Sequence, residues 1–196
     1  MKTINFITIT LAIAALLSPL CQAQENANQQ RSQAAKLTKQ GNYKESLAIY
    51  KKLLNTVSDA KTDRDLSNAY NNLQQLRRTA ETDELIESAV TKHPDNTQLL
   101  TRAGTIYINI PHYGYIVAGE FKRGNHRGGG QYAMTTQRDR VRALQLLTQA
   151  LQNDPDDEQK SQIYSLLASA LKMNSSHTGA WRLQQLTDIS KLPDVE

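Results

Sequence analysis

The histidines are the residues best suited to bind a metal or to move protons. They are His93, His112, His126 and His177. His112 and His126 lie 14 residues apart with Glu120 between them, so a His-Glu-His metal site is one candidate chemistry. That spacing matches no established metal-binding motif. His93 is expected at the end of a helix and His177 in a solvated turn, where neither needs a catalytic role.

A basic, glycine-rich stretch is the second place where residue types indicate binding. Residues 120–142 contain six Lys and Arg but two Asp and Glu, whereas the remainder of the chain after an expected signal peptide sums to −1. Aromatic residues are interleaved with these charges. Arg and aromatic side chains stack on bases, and glycine lets backbone amides approach phosphates. The candidate binding residues are Tyr113, Tyr115, Phe121, Lys122, Arg123, His126, Arg127, Tyr132, Arg138 and Arg140.

Several ligands fit this composition. RNA or single-stranded DNA is one, and an anionic glycan or lipid headgroup is another. A third interpretation has the arginines pairing with Glu120, Asp139 or helix carbonyls while the aromatic residues form a small core, with or without a protein docked on it.

Catalytic motifs are missing from the sequence. Gly119 and Gly124 have the spacing of a phosphate-binding loop, but Asn125 and His126 follow instead of Lys and Ser or Thr. There is neither a Gly-x-Ser-x-Gly elbow nor a His-Glu-x-x-His motif. A non-catalytic protein without a cofactor is expected.

The N-terminus predicts export. Lys2 precedes an apolar stretch, 4–17, and Ala23 completes the small-residue pattern of a cleavage site, so residues 1–23 read as a signal peptide. A periplasmic, cell-surface or secreted location follows, which disfavours nucleic acid as a ligand. Cleavage removes Cys21, the one cysteine, and leaves no membrane span. A lipid-modified Cys21 and an uncleaved anchor are the alternatives.

The mature chain reads as paired helices. Residues 24–33 are polar and predict a flexible leader, and residues 34–190 carry apolar residues at helical spacing. Gly41 predicts a tight turn between the first two helices. A last helical pair is expected at about 157–172 and 178–190, where Trp181 caps the domain, and residues 191–196 form a tail.

These hairpins resemble tetratricopeptide repeats, which implies a scaffold that binds proteins. The third unit shows the pattern best, because small residues in it allow two helices to approach closely. The family's characteristic Trp is missing from every unit. The residues that carry the resemblance are Gly41, Tyr43, Ser46 and Tyr50 in the first unit, Ala69 and Ala89 in the second, and Leu100, Ala103, Gly104, Tyr107, Ala143, Leu147, Ala150 and Pro155 in the third.

An insertion splits the third hairpin. Tyr107 and Ala143 should be nine residues apart in such a repeat but are 36 apart, and the insert, about 110–138, holds six of the nine glycines. Pro111 is expected to end the preceding helix. An excursion of this length inside a compact repeat predicts a functional or interaction element.

Residues 105–152 also resemble part of the N-terminal helical region of bacterial alpha-2-macroglobulin-like exported proteins. The resemblance rests on HYGYIVAGEFKRGNHRGGGQY followed by RDRVRALQLLTQAL. It implies that the chain is the helical piece of such a protein or a stand-alone relative. The protease trapping of that class maps to no residue here, because the mature chain has no thioester cysteine.

Together these observations predict an all-α, short tetratricopeptide-like solenoid whose third hairpin is split by the Gly- and Arg-rich insert. The expected function is an exported protein–protein interaction scaffold, with a protein partner or the remainder of a larger multidomain protein as its ligand. The alternative is a binder of an anionic glycan, lipid headgroup or nucleic acid through the insert.

Overall fold

A computed structural model describes residues 25–173 and 188–195 of the chain. Most of the described residues are helical, which confirms the helical class expected from the sequence. One 3-10 turn, Thr79–Glu81, is also present. The helices are α1 (residues 25–39), α2 (Tyr43–Thr56), α3 (Thr62–Gln75), α4 (Thr82–Lys92), α5 (Thr97–Asn109), α6 (Thr136–Gln152) and α7 (Asp157–Lys172).

Local sequence signals explain where two of these helices end and begin. Gly41 has a φ of +80°, and the amide of Asn42 donates to the carbonyl of Leu37 at 2.9 Å, which is the closure that a left-handed glycine permits after a helix. Helix α7 opens with a capping box, in which the side chains of Asp156 and Gln159 each accept from the other's amide. The turn expected at Gly41 is therefore confirmed.

Helices α5 and α6 run in opposite directions. Near the end of α6, Gln149 donates to the carbonyl of Pro94, which precedes α5. In the first turn of α6, Asp139 bonds to His112, which follows α5. The antiparallel arrangement brings the start of one helix to the end of the other, so both ends of the insert lie close together.

Small residues let these two helices approach closely. A Cβ atom on Gly104 would lie 2.9 Å from the Leu147 side chain, closer than real Cβ contacts allow. The apolar side chains around this contact continue into a core shared with the other helices. The largest of them that are under 2% exposed are Leu53, Leu66, Leu73, Ile86, Leu99, Leu100, Leu146, Leu147 and Ile163.

Helix α3 lies beside α1 at a constant shift of 34 residues. Arg31 of α1 donates to both carboxylate oxygens of Asp65 in α3, and the Thr38 hydroxyl lies 3.4 Å from the amide oxygen of Asn72. Because both pairs have the same shift, the two helices run in the same direction. Ser46 of α2 joins them, since its hydroxyl accepts from the Asn72 amide at 2.9 Å.

The chain between α5 and α6 forms a three-stranded antiparallel sheet. The expectation of an all-α fold is therefore wrong. Its strands are β1 (Tyr113–Val117), β2 (Glu120–Arg123) and β3 (Gln131–Met134), in the order β2-β1-β3. The strands have four or five residues each, too few for a clear alternating pattern. The β-branched run 105–110, a residue pattern typical of a strand, instead forms the last part of α5 and its C-cap Ile110. The insert spans 110–135, three residues fewer than expected.

The N-terminal segment also differs from the flexible leader that was predicted at residues 24–33. Residues 25–33 belong to α1, where Ala27 is buried and Arg31 binds Asp65. The signal peptide, Cys21, His177 and Trp181 lie outside the described residues. So does most of the last predicted helix, although its end, 188–190, is described and is not helical.

Candidate functional site

One buried arginine attaches the sheet to the helices. Arg123, at the end of β2, has a side chain that is 1% exposed. Its guanidinium bonds to both carboxylate oxygens of Asp83 in α4, at 2.8 to 3.1 Å, and to both oxygens of Asp139 in α6, at 2.7 and 2.8 Å. The Pro111 carbonyl and the Thr135 hydroxyl accept two further bonds. Arg123 thus joins three elements, β2, α4 and α6.

The charges of this cluster stabilise each other. Burial alone would lower the pKa of Arg123, but the hydrogen bonds and charges of Asp139 and Asp83 raise it above its ordinary value. Burial alone would raise the pKa of Asp139, but hydrogen bonds from His112, Arg123 and Thr135 hold it below its ordinary value. Burial raises the pKa of Asp83, and the charge and hydrogen bonds of Arg123 oppose that shift. Arg123 and Asp139 therefore form a buried ion pair at neutral pH.

The histidines of the insert do not meet. His112 Nδ1 lies 2.9 Å from Asp139 Oδ2. The His126 ring is exposed and lies 6.4 Å from the Tyr115 ring. Within residues 25–173 and 188–195, no group of three His, Cys, Asp or Glu side chains could hold a metal ion.

The face of the sheet opposite Arg123 carries a cluster of three tyrosines and a methionine, which we call the tyrosine face: Tyr113, Tyr115, Tyr132 and Met134. The Tyr113 and Tyr132 rings stack, with centroids 6.2 Å apart and planes 20° apart, and Tyr115 meets Tyr132 edge-on at 5.8 Å. Tyr132 is 53% exposed and Met134 is 40% exposed. Tyrosine combines large apolar area with low side-chain entropy, so an exposed cluster of this kind suits binding.

The register of the strands separates the two faces. Residues opposite each other in an antiparallel pair share a face, so Gly114 lies with Arg123 and Ala133 on the buried side. A Cβ atom on Gly114 would lie 2.2 Å from the Lys122 carbonyl and 2.7 Å from the Phe121 ring. Only glycine fits this central position, and Phe121 covers it.

Strand β3 leaves one edge of the sheet open. The amide of Thr135 donates to the carbonyl of His112, and in an antiparallel ladder every second pair exchanges hydrogen bonds. By this alternation the backbone groups of Tyr132 and Met134 point away from β1. Among the described residues no strand pairs with that edge.

The basic residues of the stretch 120–142 are mostly engaged with the protein itself. Lys122 bonds to a neighbouring glutamate at 2.6 Å, and Arg142 bonds to a glutamate of α4. Arg138 and Arg140 donate to main-chain carbonyls at 3.2 Å. Arg127 is exposed and bonds to none of the described residues. The structure thus separates the ten residues predicted from sequence: the tyrosines gather on one face, while the positive charge is dispersed.

A cavity of about 570 Å³ lies on the side of β2 away from the tyrosine face, against α4, α5 and α6. Segment 188–195 forms one wall of it through Leu192 and Val195. Sequence reasoning missed Asp83, Glu87 and Tyr107 here, because nothing in the chain links them to the insert before folding. The cavity is lined by Asp83, Glu87, Tyr107, Phe121, Arg123, Arg138, Asp139, Arg142, Leu192 and Val195.

No described helix has both the length and the apolar character that a membrane span requires. No protein-family model matches the sequence, and no curated protein matches it at a significant level.

Proposed function

We propose that this chain is an exported, non-catalytic scaffold that binds a protein partner through the tyrosine face. Its helices form a short tetratricopeptide-like stack, and the inserted sheet presents the binding surface. The observation that carries the proposal is the solvent-facing cluster of Tyr113, Tyr115, Tyr132 and Met134, held on a sheet that Arg123 fixes to the helices.

The shift of 34 residues between α1 and α3 supports the repeat interpretation. Tetratricopeptide repeats have a period of 34 residues, so equivalent positions in successive units lie side by side at that shift. Arg31 with Asp65 and Thr38 with Asn72 meet this expectation. The insert separates the third pair, α5 and α6, without preventing their direct packing.

The open edge of β3 supports a protein as the partner. Backbone groups of Tyr132 and Met134 face outward there, beside the aromatic side chains. An extended segment of another protein can bond to such an edge while its side chains contact the adjacent face. A glycan has no backbone amides for this edge.

The anionic-ligand alternative has less support. Of the basic residues in 120–142, Arg123 and Arg142 are paired with carboxylates of the helices, and Lys122 is paired within its strand. Arg127 is the exposed basic residue that bonds to none of the described residues. One such charge makes a weak site for a polyanion, whose binding depends on several simultaneous contacts.

The resemblance of residues 105–152 to alpha-2-macroglobulin-like proteins adds a proposal about context. That stretch covers the last five residues of α5, the whole sheet and all of α6, and α5 and α6 pack against each other. We propose that this unit serves in a larger assembly of that class. Coding sequence for β-sandwich domains adjoining the gene would support the proposal, and unrelated neighbouring genes would contradict it.

Site-specific photo-crosslinking tests the binding surface. A benzophenone side chain replacing Tyr132 should yield a defined adduct with an envelope protein in the native host. The same group replacing Tyr164, which is 61% exposed on α7, is the matched control and should yield none. Tyr115→Ser should abolish the adduct at position 132. No adduct at 132, or the same adduct at both positions, would refute the proposal.

A further inference from the structure

Segment 188–195 lies against the helices through specific bonds. The side-chain amide of Gln145 in α6 donates to the carbonyl of Ile189 at 2.9 Å, and Arg138, about two turns earlier on α6, donates to the carbonyl of Pro193 at 3.2 Å. Ile189 packs against the main core, and Leu192 lines the cavity beside β2. The segment is therefore held at both its ends.

The groups that hold the segment are themselves positioned. Arg142 donates to Gln145 Oε1 at 3.0 Å, which leaves the amide nitrogen of Gln145 directed at Ile189. Arg142 is fixed in turn by Glu87, which also accepts from the Tyr107 hydroxyl at 2.8 Å. A relay of four side chains thus orients one donor toward a main-chain carbonyl.

These contacts define what the groove recognises. Its two donors contact carbonyls four residues apart, which any peptide carries, and Leu192, which is 37% exposed, and Val195 form one wall of the adjoining cavity. Pro193, which lies between Leu192 and Val195, has no amide hydrogen that needs an acceptor. The groove therefore fits a non-helical peptide with an apolar residue, a proline, and a second apolar residue two positions after the proline.

We propose that the groove between β2, α4 and α6 is a peptide-binding site, and that segment 188–195 occupies it as an internal ligand. A partner segment of the Leu-Pro-x-Val kind enters by displacing it. The site is separate from the tyrosine face, because Phe121 and Arg123 belong to the opposite face of the sheet from Tyr115 and Tyr132.

A labelled peptide of residues 188–195 tests the site in the full chain. The double variant Ile189→Asp and Leu192→Asp, whose own segment is disabled, should bind this peptide at least tenfold more tightly than the wild type does. The reason is that a tethered segment competes at an effective concentration in the millimolar range. The control is Leu171→Asp, a change at an exposed leucine of α7, which should behave as the wild type. Fluorescence anisotropy measures the affinities.

Two changes in the groove keep the test decisive. In the double variant, Arg138→Ala and Gln145→Ala should each weaken peptide binding about tenfold or more, while Arg127→Ala should not. In the otherwise wild-type chain, Arg138→Ala should speed tryptic cleavage after Lys191 at least threefold. Equal peptide affinity of wild type and double variant, no binding by either, or unchanged cleavage would overturn the proposal.

Discussion

At the scale of single residues, Asp139 shows how a buried charge is kept ionised. It accepts from Arg123, Thr135 and His112, and these bonds offset the cost of removing a carboxylate from water. Its pKa lies below the ordinary value of 3.8. A carboxyl group with a depressed pKa in the folded state stabilises the fold above its unfolded pKa, and that contribution is lost as the pH falls through the folded pKa.

Asp139→Asn is therefore expected to lower the free energy of unfolding by about 3 kcal/mol at pH 7, because Arg123 loses one of its two carboxylates. The difference between wild type and variant should shrink as the pH falls below the unfolded-state pKa of about 4 toward the lower pKa of the folded state, because the unfolded wild type takes up the proton first. Urea unfolding between pH 7 and pH 2.5 measures both effects. Asp95→Asn, at an exposed aspartate, is the control and should change stability by less than about 0.5 kcal/mol at any pH. A difference that does not change with pH would contradict the assignment.

Residue types in the sequence indicated part of this cluster. Asp139 stood out as a pairing partner for the insert's arginines because it is acidic among basic neighbours. Asp83 did not stand out, since it lies 40 residues before Arg123 and reads as an ordinary acidic residue at a helix start. Which arginine would be buried also depends on strand register, and register is set by packing that residue types do not reveal.

At the scale of elements, the helices could be predicted and the sheet could not. Apolar spacing of three and four residues predicted paired helices, the helix expected at 157–172 coincides with α7, and Gly41 marked the first turn. In the insert, the glycines and basic residues predicted a binding element and gave no indication of strands. Yet Tyr113, Tyr115 and Val117 alternate on one face of β1, a signal that five residues are too few to establish. The sequence of this segment predicted a leader because the burial of Ala27 and the pairing of Arg31 with Asp65 arise only in the folded domain.

Gly114→Ala tests whether the sheet depends on its central glycine. The added methyl group would overlap the Lys122 carbonyl and the Phe121 ring, so we expect a loss of about 2 kcal/mol or more and a collapse of near-ultraviolet circular dichroism from the tyrosines. Helical circular dichroism should persist, because α5 and α6 pack directly on each other. Gly129→Ala is the matched control, since a Cβ atom there meets nothing within 4 Å. Joint loss of sheet and helix signals would show that the helices depend on the insert.

At the scale of the whole molecule, two buried or part-buried arginines each join elements that are distant in the sequence. Arg123 links β2 to α4 and α6, whereas Arg31 links α1 to Asp65 of α3 and to Asp59 before it. Each holds one guanidinium between two carboxylates. In a stack of hairpins each unit contacts mainly its neighbours, so local damage is expected to open one end before the rest unfolds.

Arg31→Ala applies this reasoning to the N-terminal end. Removing the guanidinium leaves Asp59 and the buried Asp65 without their partner, so α1 should separate from α3 at a lower free energy than the rest of the fold opens. Hydrogen exchange should show amide protection in residues 25–39 falling at least tenfold while protection in α5 and α6 stays within about twofold. Arg64→Ala, at an exposed arginine of α3, should change neither. An equal loss of protection throughout would show instead that the helices and the sheet unfold as one cooperative unit, and the repeat interpretation would lose its main physical consequence.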